Sequence, residues 1–158
     1  MFRASLTAFA LLAAPALAQT TGFGAMQADT KAPVQMTADS LQVDQTGGSA
    51  VFSGNVVIGQ GDMRLGASRV SVTYAQGDRS RIQSLHASGG VTLVSGPDAA
   101  EAAEAVYDVD AGTVVLTGNV ILSQGPNVLT GNRMVIDLGA GTAQVDGRVQ
   151  SVLEPTRP

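Results

Sequence analysis

The chain contains no cysteine and no tryptophan, and its 158 residues include a single histidine. Without cysteine there are no disulfides and no thiolate metal sites, so stability must come from packing and backbone ladders. His86 stands alone, which leaves a histidine metal site or a histidine-based triad without its partners. Basic charge is scarce too: nine Lys and Arg face thirteen Asp and Glu, a net charge of −4. Nucleic acid demands a basic surface, so no nucleic-acid partner is expected. Aromatic rings are also few, and beyond residue 32 only Phe52, Tyr74 and Tyr107 remain. A large sandwich normally fills its centre with such rings. An interior of aliphatic residues and Met suits a slot that accepts flexible chains, although alternating aliphatics are in most proteins simply core.

What is present begins with a targeting signal. Met1-Phe2-Arg3 gives a short positive start, and the apolar run Ala4 to Ala14 is too short to span a bilayer. Pro15-Ala16-Leu17-Ala18 then places small residues at the −3 and −1 positions of a cleavage site before Gln19. Residues 1–18 therefore read as a cleavable export signal; a retained membrane anchor is the alternative. Loss of Arg3 leaves eight basic and thirteen acidic side chains, a net charge of −5. Residues 19–32 are small, polar and unpatterned, and read as a flexible leader. One domain is expected over 33–155, followed by a short tail at 156–158.

From Val34 onward apolar and polar residues alternate, as in Phe52-Gly54-Val56-Ile58, Val70-Val72-Tyr74 and Leu116-Gly118-Val120-Leu122. A period of two is the mark of strands with one buried face. Turn clusters such as Gly47-Gly48, Gln60-Gly61-Asp62, Gln76-Gly77-Asp78, Gly96-Pro97-Asp98 and Gly125-Pro126-Asn127 separate them. The fold class is all-β. One stretch is ambiguous. Asp98-Ala-Ala-Glu101 resembles a helix capping box and Ala99 to Ala105 favours helix by propensity, so a helical turn competes with strand there.

The chain also repeats itself. Asp44 to Ile58 aligns without a gap on Asp108 to Leu122 at an offset of 64, and Gln60-Gly61 falls on Gln124-Gly125. Weaker copies of the Gly-x-Val core surround Gly89 and Gly147. Such self-similarity signals stacked β units, each too small to close a core alone. A glycine inside a strand costs entropy and packs nothing, so its recurrence marks a bend or bulge in each layer.

Val51-Phe-Ser-Gly-Asn-Val-Val-Ile58 and Val115-Leu-Thr-Gly-Asn-Val-Ile-Leu122 are each followed by Gln-Gly and a strand entered through Gly-x-x-Arg. These paired segments resemble the OstA/LptA family of periplasmic lipopolysaccharide-transport proteins. Pro33-Val-Gln-Met-Thr-Ala-Asp-Ser40 and Val152-Leu-Glu-Pro155 are similar to that family's first and last strands. The resemblance implies a β-jellyroll of antiparallel strands in two sheets that open like a V. It implies an apolar groove for the acyl chains of lipid A in lipopolysaccharide. It also implies edge-to-edge pairing: an LptC-like inner-membrane jellyroll at the N-terminal edge, an LptD-like outer-membrane assembly partner at the C-terminal edge, and head-to-tail self-association. A cleavable signal and the absence of room for a barrel point to the soluble bridge of this family rather than to its two membrane-bound relatives.

By the same resemblance Val34, Met36, Leu93, Tyr107 and Val109 fall at lipid-facing positions. Phe52, Val56, Ile58, Leu116, Val120 and Leu122 point inward by parity, and these six fit either the groove or the sealed end of a core. Arg64, Arg69, Arg79, Arg81, Arg133 and Arg148 suit phosphate chemically but read individually as solvated surface charge. Asp108, Asp110, Glu101 and Glu104 resemble a glycosidase pair only in type, since Asp108 is repeat-matched by Asp44 and a turn or surface role fits better. Gly59-x-Gly61 precedes no helix and is not a phosphate loop. No catalytic centre and no cofactor are expected. The rival readings are an exported structural β-repeat module with a sealed interior, and an exported β-solenoid enzyme acting on polysaccharide.

Overall fold

A computed structural model describes Met26 and residues 28–155. Twelve strands follow one another: β1 (Gln35–Thr37), β2 (Ser40–Asp44), β3 (Ser49–Gln60), β4 (Met63–Ala75), β5 (Asp78–Ser88), β6 (Val91–Ser95), β7 (Asp98–Ala102), β8 (Glu104–Asp108), β9 (Thr113–Gln124), β10 (Asn127–Asp137), β11 (Thr142–Asp146) and β12 (Gln150–Val152). All pairings are antiparallel and join the strands into one continuous ladder. Residues 1–18 and 156–158, read above as signal and tail, lie outside the described residues.

The ladder is folded double, and the recurring glycines do the folding. Gly54, Gly89, Gly118 and Gly147 all have φ near +80°, and the residue after each is left-handed as well: Asn55, Gly90, Asn119 and Arg148. Two left-handed residues in succession turn the strand out of its plane, and only Gly, with Asn next, adopts them cheaply. The register of β3 against β4 shifts between Ser53 and Val56, and that of β10 against β9 between Gly131 and Arg133.

Each long strand therefore serves two walls. The second half of β3 pairs with β1 and its first half with β2. The first half of β4 pairs with β6 and its second half with β5. Strand β9 pairs with β8 before its bend and with β7 after it, while β10 pairs with β12 before and β11 after. Wall one thus holds β1, β6, β7, β12 and the adjoining halves of β3, β4, β9 and β10; wall two holds β2, β5, β8, β11 and the other halves. The bends form the spine where the walls meet. The hairpin turns form the two opposite lips.

The interior between the walls is aliphatic. Val56, Ile58, Leu65, Leu93, Val120 and Leu122 come from wall one, and Val70, Val72, Leu85, Leu116, Met134 and Ile136 from wall two, all within one buried cluster. The contested stretch is strand throughout. Ala100 pairs with Leu93 and Leu122, and Ala105 with Ala87 and Leu116, both with buried side chains. Helix propensity is overridden because a helical turn would leave the ladder edges of β6 and β9 unpaired. Ala103 carries the chain between the walls, its N–H reaching the carbonyls of Thr117 and Gly118 at 3.0 and 2.9 Å.

Candidate functional site

All eleven sequence-predicted positions lie on the interior side, and the structure sorts them between the walls. Met36 pairs with Ile58 at the outer edge of wall one, with Val34 just before it, and Val56, Leu93, Val120 and Leu122 share that wall. Phe52, Tyr107 and Leu116 belong to wall two, with Val109 just past its β8. Val56, Ile58, Leu93, Tyr107, Leu116, Val120 and Leu122 are fully buried; Val34, Met36, Phe52 and Val109 are partly buried against them. The walls are thus packed on each other here. Hollows lie outside the core, such as one of about 310 Å³ bordered by Val43, Tyr74 and Arg79 at a lip of wall two.

The two ends of the stack differ from its middle. At the N-terminal end Leu41 and Val43 stand opposite Phe52 and Ala50, so they share the interior face, yet they are 54% and 56% exposed. At the C-terminal end Ala143 stands opposite buried Ile136 and is exposed, and Val149 and Leu153 are also exposed. The interior face therefore runs out to open strand edges at both ends. Such edges carry unpaired N–H and C=O groups that template a further strand.

One polar relay crosses the interior, and sequence reasoning missed it. The Tyr107 hydroxyl donates to Gln60 Oε1 at 2.7 Å, linking wall two to the lip of wall one. Gln60 Nε2 donates to the carbonyls of Thr30 and Ala32 at 3.2 and 3.0 Å. Burial pushes the Tyr107 hydroxyl above its ordinary pKa, and the neighbouring Asp108 carboxylate adds to the rise. Met26 is 1% exposed within the core and Ala28 packs against it. Part of the segment read as a flexible leader is thus seated on the fold. Its unpatterned composition gave no sign of this, because it is held through two of its own backbone carbonyls, which accept from Gln60, and through one isolated methionine.

The remaining charged residues form no chemical centre among the described residues. Arg81 pairs with Asp110 at 2.6 Å, Arg133 with Asp146 at 3.5 Å, and His86 approaches Glu104 at 3.4 Å, all half-exposed. No group of three metal-ligating side chains occurs among the described residues. Asp44 and Asp108 cap equivalent turns, accepting from Thr46 and Gly47 and from Ala111 respectively, which is the turn role expected for them.

Two bent walls, an aliphatic interior and two open edges can be set beside known proteins. Residues 35–142 match the family described as LptA/(LptD N-terminal domain) LPS transport protein. The chain belongs to this family. An uncharacterised protein, R00383, of Rhizobium meliloti (strain 1021) is 34% identical over 116 residues, covering 68% of this chain and 62% of that protein. The lipopolysaccharide export system protein LptA of Escherichia coli (strain K12) is 31% identical over 71 residues, 45% of this chain and 38% of that protein. The chain thus spans less than two thirds of the length of either relative. A crystal structure of LptH, the LptA-homologous periplasmic component of the lipopolysaccharide transport device of Pseudomonas aeruginosa, superposes with a TM-score of 0.72. That match has 22% identity and covers 81% of this chain and 99% of LptH, so the LptA-type jellyroll is its fold.

Proposed function

We propose that the chain is a periplasmic lipopolysaccharide-binding transport protein that acts as a bridge between inner and outer membrane and performs no catalysis. The observation that carries this reading is the largely aliphatic interior face of wall two, with the Tyr107 hydroxyl set into it, which runs strand by strand from Leu41 and Val43 at one open edge to Ala143 at the other. Each acyl methylene kept from water is worth about 0.8 kcal/mol, so several acyl chains cross an aqueous space only in a continuous apolar channel. Strand pairing between open edges extends such a channel from one jellyroll to the next through main-chain hydrogen bonds. On this reading an LptC-like jellyroll adds to β1 and β2, an LptD-like one adds to β11 and β12, and further copies stack head to tail. The lipid-facing set is Val34, Met36, Phe52, Val56, Ile58, Leu93, Tyr107, Val109, Leu116, Val120 and Leu122. Export by residues 1–18 delivers the chain to the periplasm.

The close packing of Leu93, Leu116 and Val120 favours a second reading, a structural β-repeat module with a permanently sealed interior. A photo-crosslinker at Met36 of the mature protein decides between them. Capture of lipopolysaccharide from a loaded partner is expected; no capture would sink the transport reading.

A further inference from the structure

Gln60 is a buried amide in an aliphatic interior, and its two ends are used very differently. Its Oε1 accepts the Tyr107 hydroxyl, which fixes the amide and turns Nε2 toward the mouth between the lips. There both N–H groups are taken by main-chain carbonyls of Thr30 and Ala32. The repeat does not demand this: the matched Gln124 donates instead to Asp98 of the neighbouring strand.

The segment that supplies the carbonyls lies across the mouth like a strap. A side chain at Gly61, in the wall-one lip, would meet Asp29 Cβ at 3.4 Å, and one at Gly112, in a wall-two lip, would meet Thr30 Cγ2 at 3.6 Å. Residues 28–34 form no strand, so the strap holds no place in the ladder. Beyond it Met26 reaches into the buried cluster. Chemically the site holds a flexible apolar chain end beside amide carbonyls. If the strap leaves, the Gln60 donors lose their acceptors, and a buried donor without a partner is costly.

We propose that Gln60 is the polar anchor of a ligand site for acyl chains joined through an ester or amide carbonyl, and that Met26 and residues 28–32 occupy it until such a ligand displaces them. The inference rests on the lipid-carrier reading above and adds to it an anchoring atom, a linkage chemistry and a competitor. The exchange is like for like: a carbonyl replaces the Thr30 and Ala32 carbonyls at Nε2, and methylenes replace the Met26 side chain. Net cost is therefore small.

Two measurements on the mature chain test it. The first locks the strap with Asp29→Cys and Gly61→Cys, whose 3.4 Å spacing lies near the disulfide Cβ range of about 3.5–4.5 Å. Crosslinker capture of lipopolysaccharide at Met36 is expected to fall about tenfold in the oxidised form, as for a competent state held below a tenth of the population. Dithiothreitol should restore it in the same molecules, which controls for folding. The second compares a short-chain diacyl phosphatidylglycerol with its dialkyl ether analogue by native mass spectrometry. The ester should bind about fivefold better, the factor for one net hydrogen bond, and the preference should vanish in Gln60→Leu with Tyr107→Phe. Equal capture by locked and unlocked protein, or an ester preference that survives the double substitution, overturns the inference and leaves the carrier reading standing. An ester preference in a chain that captures no lipopolysaccharide does the reverse: the anchor stands and the carrier reading falls.

Discussion

At the residue scale the bends are the most constrained positions. Gly118 has φ +83°, and a Cβ there would sit 2.6 Å from the Ala103 Cβ. Gly118→Ala therefore adds a clash to the left-handed cost and should lose about 2–4 kcal/mol in urea unfolding. Gly48→Ala is the matched control: φ is +64° with nothing within 4 Å, so only the conformational cost of about 1–2 kcal/mol applies. Tyr107 gives a pH signature. Its raised pKa means the folded state keeps the proton longer than the unfolded chain, so its contribution is intact below the unfolded value of 10.0. Above that value stability should fall as pH rises toward the folded pKa, and the fall should be shallower in Tyr107→Phe when chemical melts are compared. The glycines were legible in the sequence because a repeat exposed them. Their neighbours Asp39, Ser68, Ala103 and Asn132 were not, since Ser68 and Asn132 lie within β4 and β10, Asp39 and Ala103 lie in the links β1–β2 and β7–β8, and the four share no motif.

At the element scale, parity placed inward residues correctly wherever a strand lay between clear turns. It failed to decide residues 98–105, where alanine suits either state and local propensity carries no knowledge of the ladders on both sides. Glu101 makes the difference measurable. It is exposed on β7 between Thr92 and the outward Ile121. Glu101→Thr should raise stability by about 0.5 kcal/mol in a strand with those neighbours. On a helical turn the same change would lower it. Parity was equally blind to the strap, because a segment held by its carbonyls leaves no side-chain period.

At the scale of the whole molecule, sequence alternation marked a buried face but not which wall each half-strand joins, because that depends on where the bends fall. The resulting shape has two unlike ends, β1 with β2 and β11 with β12. Unlike ends permit only heterologous stacking if copies pair N-edge to C-edge, whereas like-to-like pairing would close as a two-fold dimer. Two edge variants separate these geometries. Leu41→Asp with Val43→Asp places charge on the interior face of the exposed N-terminal edge; Ala143→Asp with Ser151→Asp does so at the C-terminal edge. All four positions are solvent-exposed, so each change should cost the monomer about 0.5 kcal/mol or less. In sedimentation velocity the unaltered mature chain should form concentration-dependent oligomers, and each variant alone should remain monomeric. An equimolar mixture should give dimers and nothing larger, because one intact edge of each kind remains to pair. Dimers in either variant alone would instead show that like edges meet, and a channel could not then continue from one copy to a third.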